Sequence, residues 1–353
     1  MDLKINKSQE LKQKPDQDNL GFGTIFTDHM FIMDYKKGKG WHDARIVPYG
    51  PFTVSPATTV FHYAQAIFEG LKAYKNPENE IQLFRADENF RRMNRSARRM
   101  CIPEFDEDFV LESLKTLIDI DRKWVPSKEG TSLYIRPAVI ATDEYIGIKA
   151  SDNYRLFIIM SPVGAYYPEG FDPVKIWVTK DYVRSVPGGV GEAKTAGNYA
   201  ASLYASEKAV SEGYTQVLWL DGVEKRYIEE VGSMNIFFVI DNEIITPKLT
   251  GSILPGITRD SVIKMAEKEG YTVKQEKISI DYILKAGEEN RLQEVFGSGT
   301  AAVISPVGEI AYEDKKVVVG DGKTGTLSAK FFSLLTDIQY GRQADPFKWI
   351  IKV

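Results

Sequence analysis

The sequence predicts an α+β protein built from two mixed α/β domains. Three observations carry that prediction. Helical and strand-like periods follow one another without the regular β-α-β alternation of a doubly wound sheet. A stretch dense in glycine and proline interrupts the middle of the chain. The length, 353 residues, is about two domains at roughly 150 residues each.

Residues 1–20 are polar and hold Pro15, which predicts a flexible N-terminal arm. Composition becomes domain-like from Phe22. Ser55-Pro56 is a helix start, and Val60, Tyr63, Ala64 and Ile67 would point inward until Gly70 stops the helix. Asp87 can cap a second helix, striped by Phe90, Met93, Ala97 and Met100. A third spans Asp106 to Trp124. Leu133–Ile140 and Arg155–Met160 read as strands. Pro162, Gly164, Pro168, Gly170 and Pro173 then mark residues 162–173 as a linker. The expected organisation is an arm over 1–20, a smaller N-terminal domain over 21–161, the linker, and a larger C-terminal domain over 174–353. In the second half Val174–Thr179, Gln216–Leu220 and Ile236–Ile240 read as strands, with Asp241-Asn242 turning into Glu243–Thr246. Asn198–Glu212, Thr258–Glu269 and a stripe at Leu327, Phe331, Leu334, Leu335 and Ile338 read as helices.

Composition limits the chemistry. The net charge is −4, so no global basic field points to nucleic acid. One cysteine, Cys101, excludes an internal disulfide, and three histidines are too few for a histidine-rich metal cluster. No apolar run approaches the roughly 20 residues of a membrane span. No apolar core of a secretory signal stands at the N-terminus, so a cytoplasmic protein is expected. An enzyme of this composition would draw on lysine, carboxylate, tyrosine or a cofactor.

Some motifs invite a different reading and are weaker. Gly322-Lys323-Thr324 looks like the end of a phosphate-binding loop, but Val317 stands where that loop needs glycine. A nucleotide-phosphate-binding module is therefore the different-class alternative. Arg91, Arg92, Arg95, Arg98 and Arg99 crowd one helix, which reads as a solvated, ion-paired face because acids surround it. His29, His42 and His62 lack metal-ligand spacing, and Cys101 reads as a buried, inert thiol.

The informative stretch is Gly188 to Tyr199. Lys194 stands there among glycines and alanines, with Tyr199 in the first turn of the following helix. Small neighbours admit a flat ligand, and a lysine that can lose its proton suits a Schiff base. Glu229 and Glu230 precede an apolar strand, and either could face a protonated pyridine nitrogen. Leu254-Pro255-Gly256 before Ile257, Thr258 and Arg259 would aim backbone amides and a hydroxyl at a phosphate. Phe296-Gly297-Ser298-Gly299-Thr300-Ala301-Ala302 is a second small-residue turn able to do the same, and Arg85 could add a positive charge. A lysine trap, a carboxylate, a tyrosine and two anion nests form the inventory that pyridoxal phosphate requires.

Seven segments in one order make the chain resemble the class IV (fold-type IV) aminotransferases, and within them the branched-chain amino acid aminotransferases. They are Phe26–Met30, Phe68–Ala73, Leu83–Arg85, Lys194–Tyr199, Glu230–Asn235, Leu254–Gly256 and Val295–Thr300. The resemblance implies that Lys194 forms the Schiff base with pyridoxal 5′-phosphate and acts as acid and base. It implies that Glu230, rather than Glu229, holds the pyridine nitrogen, and that Tyr199 faces the phenolic oxygen. Arg85, Ile257 through its amide, Thr258 and Thr300 would hold the phosphate, with Arg184 nearby. Phe22, Tyr63, Phe68, Tyr134, Tyr166 and Ala301 would line the side-chain pocket, and Ser233 with Ala301 would offer amides to the substrate carboxylate. Tyr63 and Arg136 are the candidates for the distal carboxylate of glutamate. No metal is expected.

The activity so implied moves the amino group of leucine, isoleucine or valine to 2-oxoglutarate, giving a branched-chain 2-oxo acid and glutamate, in a homodimer without nucleic-acid or membrane partners. D-amino acid aminotransferases and aminodeoxychorismate lyases are the nearest alternatives within the fold. Animal members carry a Cys-x-x-Cys pair where Ala302 and Ser305 stand here, so no thiol switch is expected at that place.

Overall fold

Strand pairing, more than chain order, decides which residues belong together. The computed structural model describes residues 1–164 and 171–353. Tyr166 and the centre of the expected linker lie outside the described residues. The chain sorts into two units. Unit 1 holds Met1–Tyr166, Ala193–Ala196 and Asp337–Val353; unit 2 holds Tyr167–Glu192 and Gly197–Thr336. The residues after Asp337 thus group with the N-terminal part rather than with the half they follow.

Unit 1 is a nine-stranded sheet with two long helices against it. Its strands are β1 (Lys4–Ile5), β2 (His29–Lys36), β3 (Gly40–Pro48), β4 (Ala66–Phe68), β5 (Leu71–Lys75), β6 (Ile81–Phe84), β7 (Ser132–Ala141), β8 (Asn153–Val163) and, much later, β18 (Ile350–Lys352). Their order is β1-β3-β2-β8-β7-β5-β6-β18, with β4 also on β7. β18 joins because Ile350 stands opposite Phe84 and Lys352 opposite Gln82. Alternation along β7 sends Leu133, Ile135 and Val139 into a fully buried core. That core is completed by Phe90, Met93 and Ala97 of α2 (Ala86–Arg99) and by Val110, Leu114 and Leu117 of α3 (Glu107–Ile120). Each of the larger of these side chains contributes about 1.5–3 kcal/mol by leaving water. Tyr134 and Arg136 of β7 occupy the other face.

Three expectations are corrected in unit 1. The helix read from Ser55 to Gly70 is only α1 (Thr59–Tyr63). Ala64 turns left-handed at φ 50° and ends it, and Ala66–Phe68 instead pair with Ile140, Val139 and Ala138. Strand pairing outweighs the helical period there. Cys101 is exposed, not buried, because it lies past the end of α2 at φ 55°. Finally, the arm is strapped down. Lys4 and Ile5 pair with β3, and Ser8 N–H donates to His29 Nε2 at 2.9 Å. The buried Asp28 takes Lys12 N–H at 2.9 Å, Lys14 Nζ at 2.8 Å and Trp124 Nε1 at 2.7 Å.

Unit 2 is a second nine-stranded sheet: β9 (Val174–Thr179), β10 (Gln216–Leu220), β11 (Ile228–Val231), β12 (Asn235–Ile240), β13 (Glu243–Pro247), β14 (Val273–Glu276), β15 (Leu292–Gly299), β16 (Val303–Tyr312) and β17 (Lys315–Val318). The order is β11-β10-β9-β16-β15-β12-β13-β14, with β17 also on β16. Asp241 and Asn242 both take positive φ, as a two-residue hairpin turn requires. The helices are α4 (Ala196–Ser211), α5 (Ile257–Lys268), α6 (Ile280–Glu288) and α7 (Thr326–Gln339); α4 and α7 straddle the unit boundaries. Glu294 of β15 caps α7 by accepting the Leu327 and Ser328 amides at 2.8 and 2.9 Å. The Gly322-Lys323-Thr324 stretch is a turn in which the Thr324 hydroxyl donates to the Phe171 carbonyl at 3.0 Å.

Asp28→Ala should release the arm. Trypsin cutting at Lys7 and Lys12 should become faster, while the core of unit 1 resists; unchanged cutting would refute the anchor. Burial raises the Asp28 carboxyl, but the bonds from Lys14, Trp124 and Lys12 outweigh it and hold the group below its ordinary 3.8. The anchor is therefore complete at neutral pH and is lost only as pH falls below that value.

Candidate active site

Lys194 is held by its backbone before its side chain is considered. Its carbonyl accepts Phe68 N–H at 3.0 Å, and its own N–H donates to the Ser96 hydroxyl at 2.9 Å. Thr195 stands opposite Ile67 in an isolated bridge, and its hydroxyl donates to the Ala66 carbonyl at 2.7 Å. The half-buried ammonium of Lys194 lies 4.9 Å from the centre of the Phe68 ring.

Helix α2 presents Asn89, Arg92 and Ser96 along one face, at the spacing that helical turns bring together. Arg92 grips Glu69 with two bonds of 2.8 Å, and Asn89 adds a third of 2.8 Å to the same carboxylate. Glu69 is fully buried. Burial raises its carboxyl, yet Arg92 and, more weakly, Lys194 and Asn89 reverse this, so the group lies below its ordinary range. Of the five arginines read as a solvated face, Arg91 and Arg98 do pair with exposed acids, but Arg92 is a buried structural cation.

Four expected pocket residues converge in unit 1. The Phe22 and Tyr134 rings meet at 5.0 Å. Arg136 donates to the Tyr134 hydroxyl at 2.8 Å, and its guanidinium lies 4.7 Å from the Phe68 ring. Arg136 Nε is buried without a hydrogen-bond partner. A Cβ at Gly70 would sit 2.2 Å from the Tyr134 hydroxyl, so only glycine lets that ring lie where it does. Lys72, opposite Tyr134 across β5 and β7, is buried on the same face, and burial pulls its ammonium down to about 8. Tyr63 makes its contacts elsewhere: it is exposed, and its hydroxyl donates to the Ile146 carbonyl. Arg85 caps α2 in the left-handed region, donates its N–H to the Trp349 carbonyl at 2.8 Å and lies 5.2 Å from the Trp349 ring.

Unit 2 carries the remaining candidates. Glu230 is buried, with Oε2 3.0 Å from Arg184 Nε and Oε1 accepting Leu254 N–H at 2.8 Å. Asn235 Nδ2 donates to the Leu254 carbonyl at 3.0 Å. Gly256 then begins α5 with no side-chain cap, followed by the buried Ile257 and Thr258. A Cβ on Gly256 would fall 1.9 Å from Asn235 Oδ1, which explains the glycine. The second nest holds the half-buried Thr300 and Ala301, and it is tight enough that Val303 adopts φ 63°, a costly conformation for a β-branched residue. Ser298 in that nest is 2% exposed, and its hydroxyl has no hydrogen-bond partner. Tyr199 is half-buried in the first turn of α4, and Ser233 is exposed.

The residues missed from sequence are the supports: Ser96, Asn89 and Arg92, and Asn235. Only helical spacing in α2 hinted at the first three. Among the described residues no cluster of acids, histidine and cysteine could hold a metal, and no helix is long and apolar enough to cross a membrane.

The family model for amino-transferase class IV matches residues 66–310, which include Phe68, Lys194, Glu230 and Thr300. The chain belongs to the class IV aminotransferases. Within them it is a branched-chain amino acid aminotransferase. It is 55% identical over 352 residues to the branched-chain-amino-acid transaminase 1 of Bacillus subtilis (strain 168), covering 99% of both chains. The fold is that of the branched-chain aminotransferase of Escherichia coli, at TM-score 0.75 and 28% identity, over 91% of this chain and 98% of that one. A second solved branched-chain aminotransferase, crystallised with pyridoxamine 5′-phosphate, matches at TM-score 0.74 and 27% identity, over 91% and 97%.

In this aminotransferase, Glu69→Ala would strip a buried arginine of its carboxylate. The expected cost is about 3–5 kcal/mol in urea unfolding. Arg92→Ala should cost a similar amount, and the double variant less than the sum. A strictly additive double variant would show that the pair does not act as a unit.

Proposed function

We propose that Lys194 binds pyridoxal 5′-phosphate as a Schiff base and is the acid and base of transamination between branched-chain amino acids and 2-oxoglutarate. The observation that carries this reading is the threefold tether of the Lys194 segment to Phe68, Ser96 and Ala66. It spends backbone bonds on fixing one lysine. The donor set fits the cofactor. The start of α5, which has no side-chain cap, and the orphaned Ser298 hydroxyl suit a phosphate, and Glu230 is a buried carboxylate of the kind a pyridinium requires.

In this reading Arg85, the Ile257 amide, Thr258 and Thr300 hold the phosphate, with Ser298 as an added donor. Glu230, braced by Arg184 and Leu254, accepts from the pyridine nitrogen, and Tyr199 donates to the phenolic oxygen. The bound cofactor supplies an electron sink for the pair of electrons left on the substrate's Cα. Lys194 Nζ takes the Cα proton and keeps it close enough to return. Ser233 and Ala301 offer amides to the α-carboxylate. Phe22, Phe68 and Tyr134 pack against a branched side chain at about 0.8 kcal/mol for each methylene buried. The unsatisfied Nε of Arg136, set among those rings, supports Arg136 rather than Tyr63 as the contact for the distal carboxylate of glutamate.

A homodimer in the cytoplasm completes the proposal. Exposed Phe61, Ile146 and Ile148 in unit 1, and Leu203, Tyr204 and Val210 on α4, are apolar surface that association would cover.

Lys194→Ala should abolish both the borohydride-trapped adduct and the near-ultraviolet or visible band of the bound cofactor, and lower transamination by at least about 10²–10⁴-fold. A protein that stays colourless and inactive with pyridoxal phosphate added would overturn the reading. Arg136→Ala should slow the half-reaction with glutamate by about tenfold or more, and the half-reaction with leucine much less. Equal losses on the two substrates would remove Arg136 from its role.

A further inference from the structure

Two glutamates follow one another on β11, and regular alternation would send them to opposite faces. The pairing with β10 is irregular at that point. Trp219 stands opposite Glu230 and Leu220 opposite Ile228, so Glu229 is the extra residue of a bulge. Bulges re-aim side chains, and here both carboxylates come under one guanidinium. Arg184 Nε lies 3.0 Å from Glu230 Oε2, while Arg184 Nη2 donates to the Ser252 carbonyl. The Ser252 hydroxyl in turn donates to Glu229 Oε1. All four residues are buried.

The two acids share that cation unequally. Glu230 has the ion pair and the Leu254 amide. Glu229 has one hydroxyl, and its Oε2 is buried with no hydrogen-bond partner. Burial pushes the Glu229 carboxyl up; Ser252 and Arg184 pull part of the way back, and Glu230 and Asp221 push up again, leaving it above its ordinary 4.5. Two of the acids near Glu229 are already engaged. Asp221 accepts four backbone amides, from Val223, Glu224, Arg226 and Tyr227, and Glu224 lies 3.7 Å from Lys277. Glu229, Asp221, Glu224, Glu276, Lys248, Lys277 and Tyr227 border a cavity of about 190 Å³, ample for water.

We propose that Glu229 is a positioning residue for Glu230, carrying a proton while Arg184 is the one cation of the cluster and releasing it when the cofactor's pyridinium adds a second. This rests on the cofactor reading above. The balance is simple. Before loading, Arg184 and Glu230 sum to zero and Glu229 is neutral. The pyridinium adds one positive charge, the Glu229 O–H bond breaks, and the proton leaves for solvent through the cavity. The carboxylate that remains restores zero and strengthens the hold on Arg184, which keeps Glu230 aimed.

The test is calorimetric titration of pyridoxal phosphate into the cofactor-free protein, in buffers of different protonation enthalpy, from about pH 5.5 to about pH 7.5. Wild type should release up to one more proton per cofactor than Glu229→Gln. Glu229→Asp, which keeps an ionisable group, should retain the extra release. Difference infrared spectra of the wild type give an independent measure, because the carbonyl band of a protonated carboxyl should vanish on loading. Equal proton counts in wild type and Glu229→Gln, or an unchanged infrared band, would overturn the proposal. Failure of pyridoxal phosphate to bind the wild type at all would instead overturn the cofactor reading.

Discussion

The bond from Phe68 N–H to the Lys194 carbonyl is the constraint on which the rest depends. A four-residue piece, Ala193–Ala196, leaves the sequence company of unit 2 and is sewn to β4 of unit 1. Backbone bonds do this work because a lysine side chain has four flexible bonds and fixes nothing by itself. Glu69 is the second anchor. Its buried carboxylate holds α2 by Arg92 and Asn89, and α2 then offers Ser96 to Lys194. A buried ion pair often adds little to stability over an apolar substitute, so this one is better understood as fixing the register of a helix against a strand.

The backbone of a single residue organises unit 2 in a similar way. Leu254 gives its N–H to Glu230 and its carbonyl to Asn235. The carboxylate and the start of α5 are therefore set by the same few covalent bonds. The small residues around them follow from this crowding rather than from flexibility, since a Cβ on Gly256 would strike Asn235.

Much of the fold was legible in the sequence, for local reasons. The hydrophobic stripe of α2 and the run Val174–Thr179 need only periodicity, and Asp241-Asn242 needs only turn chemistry. The failures are non-local. Ala66–Phe68 carries a helical pattern yet pairs with β7, and Arg92 is indistinguishable from Arg91 until Glu69 is brought beneath it. The same limit applies to the site. Motifs pointed to Lys194, Glu230 and the two nests, and the family match bears out the activity they imply. Alternation along a strand could not foresee that a bulge would bring Glu229 and Glu230 to one arginine. Tyr63 reads as an inward-facing helix position and a pocket residue, but its hydroxyl is committed to Ile146.

The place of β18 has a consequence for synthesis on the ribosome. β6 is complete at Phe84, yet the strand that covers its edge begins at Ile350. At the usual pace of translation the interval is on the order of tens of seconds. Throughout it, a nascent chain presents an open sheet edge, and the bulk of unit 1 waits for the segment that carries Lys194. The N-terminal half cannot finish folding first, as halves of two-part proteins commonly do. Its most exposed period therefore falls during translation, when an unpaired strand is most open to capture by a chaperone or by a neighbouring chain.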